Sequence, residues 1–414
     1  MKNGHPICQG CGAPLTQTFV DLGSTPLANS YVPPDRQGPD PTYPLHARVC
    51  GECLLVQVDA VVDAADIFGE YAYFSSYSDS WLAHCRTYAA MAIERFSLSA
   101  TSKVIEIASN DGYLLTNFVA AGIPCLGIEP AANVAQAARA KGVPTEVAFF
   151  GAATARKLVG AGQGASHAAD LIAAKNVLAH VPDINDFVAG VRILLRPDGV
   201  FTVEFPHLLN LIRSVQFDTI YHEHFTYLSL LAVERILRRH GLRIFDVEEI
   251  ATHGGSLRVF VCHDASQRTE LPGVAAVRDK EIRARLDRPE GYEGFSDRVE
   301  QVRQHLVEFF ASASAEGRKV AAYGAAAKGN TLLNYCGIGR DRIAFVADRN
   351  PVKQGKLLPG SRIPIRTPEA IFQERPDYLL ILPWNLREEI SQQFAAIREW
   401  GGQFVTAIPD VRLS

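Results

Sequence analysis

Two Cys-x-x-Cys pairs, Cys8/Cys11 and Cys50/Cys53, stand near the start of a 414-residue chain that holds eight cysteines in all. Two such turns place four thiolates around one tetrahedral Zn²⁺ and force the intervening chain to fold back on itself. Gly10 and Gly51 lie inside the pairs and Gly12 follows the first, which suits backbone that bends toward sulfur. The gap from Cys11 to Cys50 is longer than the usual zinc-ribbon spacing, and a pair of redox dithiols is the alternative. Four sulfur ligands would close the coordination sphere, so the expected zinc is structural rather than catalytic. Cys85, Cys125, Cys262 and Cys336 stand singly in apolar surroundings and read as small core residues.

The stretch 12–48, with Pro33-Pro34, Pro39 and Pro41, reads as a loop-rich lobe clamped by the metal. A helix is expected over about 80–96. Short apolar runs then alternate with helical segments: strands at 103–108, 125–129, 170–174 and 199–205, helices at 113–121 and 131–141. That alternation predicts a doubly wound parallel sheet. A second α/β pattern begins near Lys319, with strands at 319–323, 343–347 and 378–382. The Arg- and Glu-rich segment 267–315 between them has helical spacing and reads as a solvated helical connection. The expected division is 1–75, a zinc-binding domain; 76–265, the first Rossmann-like domain; and 266–414, the second.

Charge excludes a general nucleic-acid binder: 41 basic against 45 acidic residues leave a net charge of −4. No apolar run is long enough to span a bilayer. Met1-Lys2-Asn3-Gly4 opens the chain without the apolar stretch of a signal peptide, so the cytoplasm is the expected compartment.

The first strand runs into Glu106-Ile-Ala-Ser109-Asn110-Asp111-Gly112 and then a helix, and Glu129 ends the second strand. This is a dinucleotide-type layout with one glycine where a pyrophosphate site wants three. S-adenosylmethionine carries no phosphate. It needs close backbone approach and acids for its ammonium and ribose, and Glu106, Asp111 and Glu129 stand at suitable places, Glu129 at the usual ribose-diol position. An ordinary capped strand-to-helix turn is the alternative. Downstream, Tyr221-His222-Glu223-His224 follows a strand end, where open α/β sheets bind ligands. A histidine there suits general-base work, Glu223 could orient an imidazole and Tyr221 could donate to a developing oxyanion. A structural cluster, or a metal site of His222, His224 and His207, are the alternatives. His180, just past another strand, is a second candidate.

Together these segments resemble the nucleotide-sugar C-methyltransferase family, which acts on dTDP-linked 4-keto-6-deoxy sugars. The resemblance spans essentially the whole chain. It rests on the double Cys-x-x-Cys, on 106–112, on Asn176-Val-Leu-Ala-His180, on Phe217-Asp-Thr-Ile-Tyr-His-Glu-His224, on Thr252-His-Gly-Gly-Ser-Leu-Arg258 and on Tyr323-Gly-Ala-Ala-Ala-Lys-Gly-Asn330. It implies an N-terminal zinc lobe, a Rossmann-like methyltransferase domain binding S-adenosylmethionine, and a C-terminal Rossmann-like domain that helps hold the nucleotide. It implies cofactor contacts from Glu106, Ser109, Asn110, Asp111, Gly112, Glu129 and Asn176. His224 matches the family's base, with Tyr221, Glu223 and His180 around the substrate. Tyr73 or Tyr77, His222, Lys328 and Asn330 are further substrate-binding expectations, Lys328 toward the diphosphate. The implied partner is a dTDP-linked keto-deoxysugar in deoxysugar biosynthesis, with no nucleic acid, no membrane, and a monomer or homodimer. Two other readings differ in class: an NAD-dependent nucleotide-sugar oxidoreductase, and a zinc-containing binding protein without activity. Gly324-x-x-x-x-Gly329-Asn330-Thr331 approaches a nucleotide-phosphate loop, but Asn330 replaces the required lysine.

Overall fold

The computed structural model describes residues 5–59, 62, 76, 79–160 and 168–414. Residues 12–48 carry two strands on either side of an irregular segment, 26–42. Strand β1 (Gln17–Thr25) pairs antiparallel with β2 (Tyr43–Val49), which pairs with β3 (Val56–Val58). Bulges near Thr18/Val20 and Asp21/Ser24 break the register. They also break the in–out alternation by which a strand is read from sequence. One cysteine pair precedes β1 and the other lies in the turn between β2 and β3.

The next strands are β4 (Val104–Ile107), β5 (Cys125–Ile128), β6 (Thr145–Glu146), β7 (Ala169–Lys175), β8 (Leu195–Pro206), β9 (Thr226–Tyr227), β10 (Leu242–Ile250) and β11 (Ser256–His263). All but β9 make one sheet in the order β10-β11-β8-β7-β4-β5-β6. Pairings from β8 to β6 are parallel, as the strand–helix alternation predicts. The β8–β11 and β11–β10 pairings are antiparallel, a tight return that no crossover helix announces. Strand β9 leaves this region and pairs with β3, stitching the N-terminal sheet to the histidine segment.

Helices Pro272–Arg283 and Phe295–Ala315 occupy most of 267–315. Beyond them β12 (Val320–Tyr323), β13 (Val346–Ala347), β14 (Ile365–Arg366), β15 (Tyr378–Ile381), β16 (Gln403–Thr406) and β17 (Arg412–Leu413) form a second sheet, order β14-β13-β12-β15-β16-β17. Only β17 runs antiparallel. Both main sheets are thus Rossmann-like. Among the described residues no helix is long and apolar enough to cross a membrane.

The cores are shared between the parts. Phe19, Leu45 and Val56 of the N-terminal sheet pack in one apolar cluster with Phe295, Leu306, Val320 and Leu380. Cys8, Cys50 and Cys53 pack with Ile172, Phe187 and Phe201 of the central sheet. The N-terminal lobe is therefore a wedge between the two Rossmann-like sheets. Its segment after β1 is pinned to the C-terminal sheet. Asn330 Nδ2 donates to the Ala28 carbonyl at 2.6 Å, Tyr31 Oη to Ala325 O at 2.6 Å, and Arg362 forms two bonds of 2.7 and 2.8 Å to Asp40.

Candidate active site

The four N-terminal sulfurs lie within 4.8 Å of one another, with Cys8–Cys53 and Cys11–Cys50 each at 3.5 Å. Zn–S bonds of about 2.3 Å in a tetrahedron need sulfurs close to this spacing, so the donor set fits zinc. Gln57, 1% exposed, donates its Nε2–H to Cys8 Sγ at 3.2 Å and accepts from the Gln9 amide at 2.8 Å. That hydrogen bond suits a sulfur that carries negative charge on a metal. The site lies in the wedge core, so it holds structure and takes no part in the chemistry.

At the C-terminal end of β4 the chain turns through Ala108, Asn110 and Gly112, all with positive φ (+53°, +48° and +79°). A Cβ at Gly112 would lie 3.0 Å from Val143 Cγ2, and one at Gly127 would lie 2.3 Å from Ser109 Oγ. Gly127, in the middle of β5, lets the loop rest directly on the sheet. Sequence reading passed over it because a glycine in a short apolar strand carries no motif.

Glu129 accepts from the Asn110 amide and the Ala131 amide, both at 2.9 Å. Burial raises its pKa from the ordinary value, and the two amides offset part of that rise. Glu106 is fully buried. Tyr113 approaches it without a well-formed hydrogen bond, and among the described residues neither carboxyl oxygen has a partner. Burial pushes its pKa well above the carboxylate range. Ser109 Oγ, Asp111 Oδ1 and Asn176 Oδ1 are likewise buried without partners. Asp111 Oδ2 accepts from Lys141 Nζ at 2.7 Å and from Ser76 Oγ.

These orphaned atoms are acceptors, apart from the serine hydroxyl, which can do either. Buried acceptors need donors. S-adenosylmethionine presents donors in its ammonium, two ribose hydroxyls and adenine amino group, against a single carboxylate. A pyrophosphate would bring more acceptors and negative charge against Glu106, Asp111 and Glu129. The loop therefore fits the sulfonium cofactor and not NAD.

The histidine segment packs beside the C-terminal ends of β7 and β8. His224 Nδ1–H donates to Thr219 O at 2.8 Å, which leaves Nε2 as the lone-pair nitrogen, and the Tyr221 hydroxyl lies 2.9 Å from it. His180 Nδ1–H donates to Glu223 O at 2.8 Å, and its ring meets His224 edge-on at 4.6 Å. Burial, reinforced by His180, holds His224 well below the ordinary histidine value. Burial pushes His180 down to about 4. Both imidazoles are neutral at neutral pH. Glu223 turns away from the imidazoles toward Asn29, whose Nδ2 donates to it at 2.6 Å, and burial pushes its carboxyl up to about 7.

His222 and Asn330 are not brought to this cluster. His222 faces the N-terminal lobe: its Nε2–H donates to Pro44 O at 3.1 Å and its ring lies against Tyr43. The chain turns at His222-Glu223, closed by the His224 amide donating to Tyr221 O at 2.9 Å, so both turn residues face the N-terminal lobe. The alternative metal set also fails: His207 is bound to buried Glu281 at 2.7 Å. Asn330 faces Ala28. Tyr73 and Tyr77 lie outside the described residues.

Lys328 stands in the first turn of helix Ala327–Cys336, donates to Asn385 Oδ1 at 2.8 Å and lies 4.5 Å above the Trp384 ring. Burial lowers its pKa, partly offset by Asp218. Trp384 Nε1 donates to Asp218 Oδ2 at 2.7 Å. Sequence reading assigned no role to Trp81 and Trp384, which the fold brings to the 253–254 turn. Trp81 packs on His84, Tyr113 and His253. Beneath them Glu204 accepts from Lys175, from Arg258 at 2.7 Å, and pairs with His84 at 2.8 Å. Burial alone would raise Glu204, but Lys175, the His84 hydrogen bond and Arg258 hold it well below its usual range.

Family models match in three consecutive parts: a zinc binding domain over 8–68, a methyltransferase domain over 81–247, and a C-methyltransferase C-terminal domain over 251–409. C-methyltransferase NovU of Streptomyces niveus is 39% identical over 408 residues, covering 98% of this chain and 96% of that protein. The chain belongs to the C-methyltransferase family. It is an S-adenosylmethionine-dependent enzyme with zinc in its N-terminal part. Two solved structures align with parts of this C-methyltransferase. One is an S-adenosylmethionine-dependent methyltransferase from Thermotoga maritima (14% identity, 49% of this chain and 100% of that one, TM-score 0.35). The other is magnesium protoporphyrin IX methyltransferase from Synechocystis PCC 6803 (14%, 44% and 83%, 0.35).

We propose that Glu129 holds the ribose hydroxyls; Glu129→Ala should then cost charge-assisted hydrogen bonds of about 1.5–3 kcal/mol each. Calorimetry should show S-adenosylmethionine bound more weakly by about tenfold or more. An unchanged affinity would place the ribose elsewhere.

Proposed function

We propose that this C-methyltransferase adds a methyl group to C3 of a dTDP-linked 4-keto-6-deoxy sugar, after removal of the C3 proton. The observation that carries this reading is the neutral His224, its Nε2 lone pair defined by the Nδ1–H bond to Thr219, packed against His180 just past the end of β7. A C–H bond next to a ketone is acidic enough for such a base to break. Nε2 of His224 takes the proton as the C3–H electron pair moves into the ring and the C4 oxygen gains negative charge. Tyr221 donates to that oxygen, stabilising charge as it forms; His180 does not, because its single ring proton is held by Glu223 O. Bound S-adenosylmethionine supplies an electrophilic methyl group to the carbon so activated.

Lys328 supports the nucleotide end of the reading. Among the described residues its ammonium has one hydrogen-bonded side-chain acceptor, Asn385, and three donors. It sits at a helix N-terminus, which favours anions. We place the reaction in the cytoplasm, where thiolates stay reduced for zinc. The division at 1–75, 76–265 and 266–414 is carried by the three sheets, although β9 and the shared cores cross it. The test is incubation with methyl-labelled S-adenosylmethionine and a panel of dTDP-4-keto sugars differing at C2 and C3. A product heavier by one methyl, located on C3, is expected. Transfer to oxygen or nitrogen, or no transfer to any of the panel, would overturn the assignment.

A further inference from the structure

The turn between β10 and β11 carries a histidine that the scheme above does not use. His253 has φ +55°, and Asn176, which immediately follows β7, has φ +53°. Left-handed backbone is uncommon outside glycine, and Asn and His are among the residues that adopt it most readily. The two side chains meet: Asn176 Nδ2 lies 2.9 Å from His253 Nε2. An amide nitrogen only donates, so His253 Nε2 accepts and its ring proton sits on Nδ1. The other end of the amide, Asn176 Oδ1, is buried and has no partner among the described residues.

The turn is held rigidly. A Cβ at Gly254 would lie 2.4 Å from Trp384 Cη2. Gln216 Nε2 donates to Gly254 O at 3.0 Å, Ser256 Oγ donates to Thr252 O at 2.9 Å, and the Trp81 ring meets the His253 ring at 5.6 Å. His253 is exposed to solvent, and the protein packed around its ring, with the charge of Lys328 nearby, lowers its pKa.

Sheet order gives Asn176 its place along the C-terminal edge. Along the C-terminal edge the strands run β8-β7-β4-β5. Glu129 follows β5, the glycine loop follows β4, Asn176 follows β7, and His180 stands four residues further on. Strands are about 4.8 Å apart. A ribose at Glu129 and a sugar carbon at His224 leave the sulfur between them, over β4 and β7, beside Asn176.

We propose that His253 is a positioning residue that locks the Asn176 amide so that its oxygen faces the sulfonium methyl of S-adenosylmethionine. The proposal rests on the cofactor placement above. A sulfonium polarises its methyl C–H bonds toward an amide oxygen, and the neutral thioether of S-adenosylhomocysteine has neither that charge nor that methyl. The lock therefore favours the methyl donor over the spent product.

The experiment measures dissociation constants for both ligands by calorimetry in wild type, Asn176→Ala, His253→Leu and His253→Gln. Wild type should prefer S-adenosylmethionine. Asn176→Ala and His253→Leu should each weaken S-adenosylmethionine by about tenfold and S-adenosylhomocysteine by less than about threefold, as expected for loss of a charge-assisted C–H···O contact. His253→Gln, which restores an acceptor for the Asn176 amide, should recover most of the preference. Retained S-adenosylhomocysteine affinity shows that each variant is folded. Equal weakening of both ligands, or a His253→Leu variant with unchanged preference, overturns the lock. If wild type binds neither ligand, the cofactor placement itself falls.

Discussion

His224→Asn should lower the methylation rate by about 10²–10⁴, the usual cost of removing a general base. Asparagine keeps the approximate size and can still hydrogen-bond Tyr221, but it cannot take the C3 proton. Cofactor affinity should stay near wild type, because His224 lies beyond β7 while the cofactor loop follows β4 and β5. The direct readout is exchange of the sugar's C3 hydrogen into D₂O, fast in wild type and lost in the variant. The pH profile gives a second check. Burial depresses the His224 pKa, so the base is already deprotonated at pH 6–7 and contributes no acid limb near the ordinary histidine value of about 6.5. A variant that turns over at near wild-type rate would move the base to His180, whose ring lies 4.6 Å away.

Loss of zinc should unfold far more than the first domain. A structural zinc site of this kind holds roughly 10–16 kcal/mol of binding free energy, as much as the whole stability of a typical domain. Here Cys50 is 0% exposed and packs, with Cys8 and Cys53, in the same core as β7 and β8. The strands that the knuckles anchor share a second core with the C-terminal sheet. The segment after β1 supplies Asn29 to Glu223 and the Ala28 carbonyl to Asn330. Cys50→Ala, or chelation of the wild type, should therefore lower the melting temperature of the whole chain and abolish methylation together. Metal analysis should give one zinc per wild-type chain. A chelated protein that keeps its melting temperature would remove zinc from the stability argument.

Much of this was legible in the residues because the signals are local. Cysteine spacing determined the metal cluster. Apolar runs alternating with helical periods determined β4, β5, β7, β8, β12 and β15, since strands buried on both faces show as unbroken hydrophobic stretches. The acids at 106, 111 and 129 stood at strand ends by chain order alone. What the chain order left open was every choice that depends on residues far apart meeting. Bulges hid β1 from the period of two. The antiparallel return of β10 and β11 has no crossover helix to announce it. Tyr-His-Glu-His could not reveal that His222 and Glu223 face the N-terminal lobe while His224 faces His180, because side-chain direction there is set by Asn29, Pro44 and Thr219. The aromatic residues that meet at the 253–254 turn, Trp81, His253 and Trp384, come from three distant segments. Only packing of the two Rossmann-like sheets around the zinc wedge brings them together, since burial and desolvation are properties of the assembled fold and not of any one segment.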